Sequence, residues 1–155
     1  MDHFDRKICE ILQTDARRSS TDVAAQVGLS VSATNDRIRR LQKQGIITGW
    51  QARLAPAPFA AATCAFVLLD LRYEGEAEAI AALSAHDAVQ ELHHISGPHS
   101  YLMKLRLADT AALQRFLSEV VKPLPAVTRT ESIIALDTAK ETLAIAVPTE
   151  EQEDG

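Results

Sequence analysis

Short polar and positively charged side chains are concentrated in one stretch of the sequence, residues 30–43. On a helix with about 100° of turn per residue, most of them lie opposite a surface formed by Thr34, Ile38 and Leu41. They are Ser32, Asp36, Arg39, Arg40 and Lys43, with Asn35 and Arg37 on the flanks and Ser30 placed to cap the helix. Cations neutralise phosphate groups, and serine or asparagine near the start of a helix can reach base edges in a groove. The pattern therefore favours contact with double-stranded DNA.

The individual roles on this helix stay open at the level of sequence. Asn35 can form two hydrogen bonds with adenine, and Ser32 can pair with several base edges. The arginines can bind either phosphate or guanine. Asp36 would repel phosphate, so it either accepts from a cytosine amino group or holds Arg39 or Arg40, three or four residues further on. An ordinary solvated helix surface is the alternative to all of these.

Two shorter helices are predicted before this one. Apolar residues recur at helical spacing over residues 3–14, and Asp2 can cap that helix. Residues 19–22, Ser-Ser-Thr-Asp, form a capping-box pattern for a second helix. Gly28 can adopt the positive φ of a tight turn before the third helix, which Gly45 is expected to stop. Three short helices with a tight link between the last two predict a helix-turn-helix.

The order of elements predicts an α+β chain with two domains. The helix-turn-helix domain spans residues 1–54, of which 46–54 form a short β hairpin or an extended arm. A proline- and alanine-rich linker, residues 55–62, follows. Residues 63–147 show the element order βαββαβ, typical of a ferredoxin-like domain with an antiparallel sheet. The acidic residues 148–155 are predicted to be a disordered tail.

The elements of the second domain have approximate limits in the sequence. The strands are predicted at 63–73, 89–95, 101–107 and 129–136, one helix at 76–85, and a second from Asp109 or Thr110 to before Pro123. The first strand is apolar on both faces, and two helices cover only one face of a sheet. We therefore expect Phe66 and Leu68 to form a dimer interface. The alternative is that they lie under the linker or a neighbouring loop.

The charge of the chain is unevenly distributed. The 155 residues have a net charge of -5, but residues 1–60 hold nine bases and six acids, whereas residues 61–155 hold seven bases and fifteen acids. This asymmetry favours a first half that binds a polyanion, joined to an acidic second half that does not. No apolar run approaches the length of a membrane span, and the start of the chain does not resemble a signal peptide. The expected location is the cytoplasm, on the nucleoid, with Cys9 and Cys64 as reduced thiols.

Four segments together resemble the Lrp/AsnC family of bacterial and archaeal transcriptional regulators. They are MDHFDRKICEIL, SSTDVAAQVGLS, the helix with Arg37-Ile38-Arg39-Arg40-Leu41, and GIITGW. The βαββαβ half resembles that family's ligand-sensing (RAM) domain, so the resemblance covers residues 2–147. It implies a winged helix-turn-helix, dimers built through the sheets, and assembly to tetramers, octamers or larger discs. It also implies control by an amino acid or another small metabolite.

One motif departs from that family. Its members commonly carry Gly-Asp-x-Asp-Tyr in the sensing-domain hairpin, near the effector pocket, whereas this chain has Gly97-Pro98-His99-Ser100-Tyr101. Carboxylates are good acceptors for an ammonium group, so their loss weakens the case for a conventional amino-acid effector. The candidate effector-binding residues are Gly97, His99, Ser100 and Tyr101. A different ligand, another pocket, or no ligand are the alternatives.

The sequence offers little for catalysis. It contains no nucleophile elbow, paired catalytic acids, P-loop or zinc spacing, so neither a catalytic residue nor a resident cofactor or metal is expected. His93 and His94 are adjacent in a strand and face opposite sides, which disfavours joint metal binding. Two alternatives remain besides a regulator. One is an architectural DNA binder without an effector, and the other a siroheme decarboxylase, which resembles the same two-domain architecture but should not need the polar third helix.

Overall fold

The computed structural model describes residues 1–148 and divides the chain into two compact units. The first unit contains Met1–Arg53 and the segment that begins at Lys140, and the second contains Leu54–Ala139. Apart from Pro148, the predicted acidic tail lies outside the described residues. Within the described part of the chain, no helix is long and apolar enough to cross a membrane.

The first unit is built from three helices. They are α1 (His3–Thr14), α2 (Ser20–Val27) and α3 (Val31–Lys43). Each begins at a side-chain cap that the sequence predicts: Asp2 accepts from the backbone N–H of Asp5, Ser19 from that of Asp22, and Ser30 from that of Ala33. Buried apolar residues from all three helices pack together in one core: Ile8, Leu12, Val23, Val27 and Leu41. The predicted helix-turn-helix is confirmed.

The segment after α3 contains no strand. Ile46 and Ile47 both donate their backbone N–H to the carbonyl of Leu41 and so close the end of the helix. Between there and Ala62 the only regular element is a 3₁₀ turn, Ala57–Phe59. Of the two interpretations of residues 46–54, a hairpin and an extended arm, the hairpin is wrong, since none of these residues lies in a strand.

The second unit is a four-stranded antiparallel sheet with helices on one face. Its elements are β1 (Thr63–Leu71), α4 (Glu76–Ser84), β2 (Val89–His94), β3 (Tyr101–Leu107), α5 (Thr110–Phe116), a π-helical turn (Leu117–Val121) and β4 (Val127–Ile134). The strand order is β2-β3-β1-β4. This is the predicted βαββαβ fold, with the last strand beginning two residues earlier than expected.

The period of two along each strand divides the sheet into a covered face and an open face. On β1 the covered face carries Ala65, Val67 and Leu69, which are fully buried against the helices. Phe66 and Leu68 point the other way and are half-buried. Phe66 lies opposite Ile133 of β4, and Ile133 is 48% exposed. In this chain by itself, the open face therefore presents apolar side chains that no helix covers.

The last described residues do not belong to the second unit. The predicted sensing domain runs to residue 147, but the segment from Lys140 groups with the helices of the first unit. Arg53 donates to the carbonyl of Glu141, and the side chain of Gln13 bonds both backbone groups of Ile145. The limit at residue 147 stays a prediction, and these contacts between side chains and the main chain leave no trace in hydrophobic periodicity.

Candidate DNA-binding surface and sensing hairpin

The turn between α2 and α3 sets the direction of α3. Gly28 ends α2 with φ of 74°, a left-handed conformation that side chains with a Cβ rarely adopt. Ser30 then starts α3, and the Thr34 hydroxyl donates to the Ser30 carbonyl at 3.0 Å. Thr34 and Leu41 are fully buried. The inner face of α3 is therefore the one that the sequence predicts, and the opposite face is directed outwards.

Four predicted DNA-binding residues lie fully on that outward face. They are Ser32, Asp36, Arg39 and Lys43, all exposed. Arg39 donates from Nη1 to Asp36 Oδ1 at 3.0 Å, and both side chains are about three-quarters exposed. Of the roles open to Asp36, the structure shows the one in which it holds Arg39. An exposed pair of this kind is weak and can reorganise readily.

Asn35 lies at the edge of this face and is half-buried. Its Oδ1 accepts a hydrogen bond of 2.6 Å from the hydroxyl of Ser20 at the start of α2. This contact orients the amide so that its NH₂ group is the part free to turn towards a partner. The sequence places Asn35 on a flank of the helix but does not reveal its hydrogen-bond partner, which comes from another helix.

Arg37 is held by α1 and does not project freely from α3. Its Nη1 donates to Asp2 Oδ2 at 2.6 Å and to Asp5 Oδ1 at 2.8 Å. Its guanidinium carbon lies 5.3 Å from the centre of the Phe4 ring. The side chain is only 22% exposed. Arg37 thus cross-links the two helices, a role that its position on the flank did not reveal.

Arg40 shares the same anchor. Its Nη2 lies 2.9 Å from both carboxylate oxygens of Asp5. The Asp5 side chain is 5% exposed, whereas that of Arg40 is 48% exposed. Asp5 therefore binds two arginines of α3 while its Oδ2 also accepts from the backbone N–H of Asp2. Sequence reasoning placed Asp5 only in the first turn of a helix; the arginines three residues apart on α3 are the signal that could have found its second role.

The carboxylate and guanidinium groups stabilise each other's charged forms. The backbone N–H of Asp5 and the Arg37 guanidinium hold the pKa of Asp2 below its usual value. The hydrogen bonds from Arg37 to Asp2 and then to Asp5 raise the pKa of the guanidinium above its usual value. Both shifts favour the charged forms of Asp2 and Arg37.

The candidate effector residues lie in the loop between β2 and β3. Gly97 has φ of 128° and is exposed. His99 is 9% exposed, with Nδ1 3.2 Å from Asp70 Oδ1 and Nε2 3.6 Å from Glu131 Oε2. The backbone N–H of Ser100 also donates to Asp70 Oδ1. The loop is thus tied to the end of β1 and to the middle of β4. Asp70, a lone acid in an apolar strand, is the anchor that sequence reasoning missed.

Tyr101 is directed to the other side of the sheet. Its hydroxyl donates to Glu76 Oε1 at 2.8 Å, at the start of α4, and the His94 ring stacks on its ring at 4.9 Å. Burial, with a further contribution from Glu76, raises the pKa of Tyr101. His93 contacts Glu91 instead, so the two adjacent histidines do face opposite sides. Tyr101 and His99 consequently do not converge on one pocket within a single chain.

A helix-turn-helix with an outward cationic helix, joined to a ferredoxin-like domain, defines a two-domain DNA-binding regulator. A model of the winged helix-turn-helix DNA-binding domain matches residues 1–48, and a model of the Lrp/AsnC ligand binding domain matches residues 64–145. The chain belongs to the Lrp/AsnC family of transcriptional regulators.

Individual relatives resemble the chain over nearly its whole length. A proline dehydrogenase transcriptional activator from Rhizobium radiobacter is 35% identical over 145 residues, 92% of this chain and 93% of that protein. A leucine-responsive regulatory protein from Salmonella typhimurium is 33% identical over 153 residues, 96% of this chain and 93% of that one. A feast or famine regulatory protein from M. tuberculosis, complexed with L-methionine, aligns with a TM-score of 0.87 at 31% identity, covering 95% and 99% of the two chains.

The Asp5 cluster predicts a large difference between two aspartate substitutions. Asp5→Ala would leave two arginines facing a buried site without their carboxylate, so we expect a loss of about 2 kcal/mol in the free energy of unfolding. Asp36→Ala removes an exposed pair on the outward face of α3 and should change the free energy of unfolding by less than about 0.5 kcal/mol. Urea denaturation of both variants measures this, and equal losses would contradict the central role of Asp5.

Proposed function

We propose that this regulator binds DNA through the outward face of α3, with Ser32, Arg39 and Lys43 in direct contact. The observation that carries this proposal is the division of the α3 cations into two groups. Arg39 and Lys43 are exposed, whereas Arg37 and Arg40 are anchored to Asp5. The anchored pair sets the position of α3, and the exposed pair is available for phosphate.

The remaining predicted residues receive narrower roles in this proposal. Asn35, oriented by Ser20, directs its amide to a base edge, while Ser30 acts as the helix cap. Arg40 is about half exposed, and its hydrogen bonds to Asp5 use Nη2, so its other N–H groups can contact a phosphate. Arg37 serves as a positioning residue. In a dimer, two copies of α3 would enter successive major grooves of a pseudo-palindromic site.

Arg39→Ala tests the DNA-binding surface. We expect it to weaken binding to all duplexes and to lower the slope of log affinity against log salt by about 0.9, because one phosphate contact is lost. Arg115→Ala, which removes an exposed arginine of α5 in the second unit, is the charge-matched control. Fluorescence anisotropy across a salt series measures both variants. If Arg39→Ala behaved like Arg115→Ala, α3 would not be the DNA-binding helix.

We infer that two chains pair through the open faces of their sheets. Phe66 and Leu68 are half-buried on this face of β1, and the neighbouring Ile133 is 48% exposed. Burying apolar surface of this kind against a second copy is favourable at roughly 25 cal/mol per Å². Higher assemblies of such dimers, tetramers or octamers, would follow the pattern implied by the family.

A charged residue at the centre of that face should separate the dimer. Phe66→Glu would place a carboxylate in the interface, so we expect sedimentation velocity to show a monomer where the wild type shows a dimer or a larger assembly. Phe59→Glu is the matched control, because Phe59 is 64% exposed in the linker turn. A Phe66→Glu protein that still sedimented as a dimer would place the interface elsewhere.

We further propose that the second unit senses an amino acid or a related metabolite near the β2–β3 loop. The relative from M. tuberculosis is described in complex with L-methionine. The loop of this chain carries Pro98 and Ser100 where the family commonly has aspartates, and His99 is tied to Asp70. Recognition of the ammonium group would therefore need other acceptors than the usual pair, so the ligand range should differ from that of typical members.

A thermal-shift measurement tests the effector. L-methionine at about 100 times its Kd should stabilise the native protein by about 2.7 kcal/mol and raise its Tm, because it binds only the folded state. D-methionine has the same composition and charge and should give little shift. Equal shifts would indicate non-specific binding, and no shift with either would contradict methionine as an effector and favour an architectural DNA binder.

We infer that the protein regulates transcription without catalysing a reaction and acts on nucleoid DNA in the cytoplasm. Membership of a family of transcriptional regulators supports this. The exposed Arg39 and Lys43 have a role in a regulator, whereas a tetrapyrrole decarboxylase of similar architecture has no use for them.

A further inference from the structure

A groove in the second unit lies between the start of β4 and one face of α5 with the π-helical turn that follows it. Its volume of about 320 Å³ lies at the lower end of the range of roughly 300–1,000 Å³ for small-molecule sites. The strand side is formed by residues 127–130. The helical side is formed by residues at positions i, i+3, i+4, i+7 and i+8, which are Gln114, Leu117, Ser118, Val121 and Lys122. None of the candidate effector residues of the β2–β3 loop lines this groove, so the two places are separate.

β4 borders the groove with its main chain. Side chains of a strand alternate between the two faces, so four consecutive residues that line one groove do so along the edge of the strand. β4 is the last strand in the order β2-β3-β1-β4, so this edge pairs with no other strand that the structure describes. Main-chain N–H groups that point outwards from an edge strand are available as donors. One wall of the groove therefore offers main-chain hydrogen bonds to a ligand.

The apolar residues of the groove belong to the core of the second unit. Val121 is 1% exposed, and Leu117 and Val127 are half-buried against the same core. The N–H of Lys122 donates to the carbonyl of Leu117 at 2.8 Å and closes the π-helical turn, an irregularity that is frequent at functional sites. The groove is therefore preformed, with an apolar floor and Lys122 at the end of the turn.

The charge of the groove differs from that of the rest of its unit. Residues 61–155 hold fifteen acids and seven bases, yet the lining residues that the structure describes include two bases and no acid. The guanidinium of Arg129 lies 3.7 Å from Glu131 Oε2, and both side chains are exposed. The ammonium group of Lys122 has no hydrogen-bond or ion-pair partner within residues 1–148, and the same holds for the side chains of Gln114 and Thr130. The unpaired cation and the polar groups beside it favour an anion.

We propose that this groove binds a small aliphatic carboxylate, at a site distinct from the β2–β3 loop. Lys122 and the edge of β4 bind the carboxylate group, since hydrogen bonds between charged partners are the strong ones. The aliphatic part of the ligand packs on Leu117, Val121 and Val127. The described lining offers no carboxylate to pair with an ammonium group. The ligand class is therefore a carboxylic acid without an amino group, such as a branched 2-oxo acid.

Isothermal titration calorimetry of the full chain with 4-methyl-2-oxopentanoate tests the site. We expect Lys122→Gln to weaken binding about tenfold or more, because a charge-assisted hydrogen bond is lost, and Lys122→Arg to retain most of the affinity. Arg115→Gln is the charge-matched control: it removes an exposed arginine of α5 that does not line the groove, and should bind as the wild type does. The neutral ketone 4-methyl-2-pentanone has the same branched chain without the carboxylate and should bind at least about tenfold more weakly.

Each outcome decides one point. No binding of the oxo acid by the wild type up to about 10 mM, or equal affinities of the wild type and Lys122→Gln, would overturn the site. Equal binding of the ketone would overturn recognition of the carboxylate.

The L-methionine measurement separates this site from the one proposed at the β2–β3 loop. The Tm shift with L-methionine should persist in Lys122→Gln. If this substitution abolished the shift, the groove would be the amino-acid site and the ligand class proposed here would be wrong. If L-methionine gave no shift with the wild type while the oxo acid bound, the loop proposal would fail and the groove would stand.

Discussion

The carboxylate of Asp5 is the contact on which the DNA-binding unit depends. It is almost completely buried, caps α1 together with Asp2, and accepts hydrogen bonds from Arg37 and Arg40 of α3. A buried carboxylate is costly unless cations and N–H groups surround it, so this site tolerates few arrangements of the two helices. The same constraint divides the arginines of α3. Arg37 and Arg40, which contact Asp5, fix the position of the helix. Arg39 stays exposed on the outward face.

In the second unit, helices cover the sheet on one side only. The covered face packs Val67 and Leu69 into a continuous core, which supports the strands that carry the β2–β3 loop. His99 in that loop contacts Asp70, so the loop is anchored to the end of β1. The open face, which carries Phe66, is the surface proposed for pairing with a second copy.

The first unit is not one continuous segment of the chain. The chain leaves the first unit after Arg53 and returns to it at Lys140. Two segments of the chain therefore connect the units. The returning segment is anchored on α1 by Gln13.

The amino-acid sequence by itself determined the elements and their types. Caps such as Ser30, the glycine turn at Gly28, and the periods of apolar residues are local signals, and the helices and strands formed where these signals predict them. The tertiary structure alone decided which polar side chains are available. Arg37 and Arg39 are equivalent as residues, but one pairs with the buried Asp5 and the other with the exposed Asp36. This difference arises because Arg37 contacts a residue of another helix that is 32 positions away in the sequence. No local sequence pattern records such a contact.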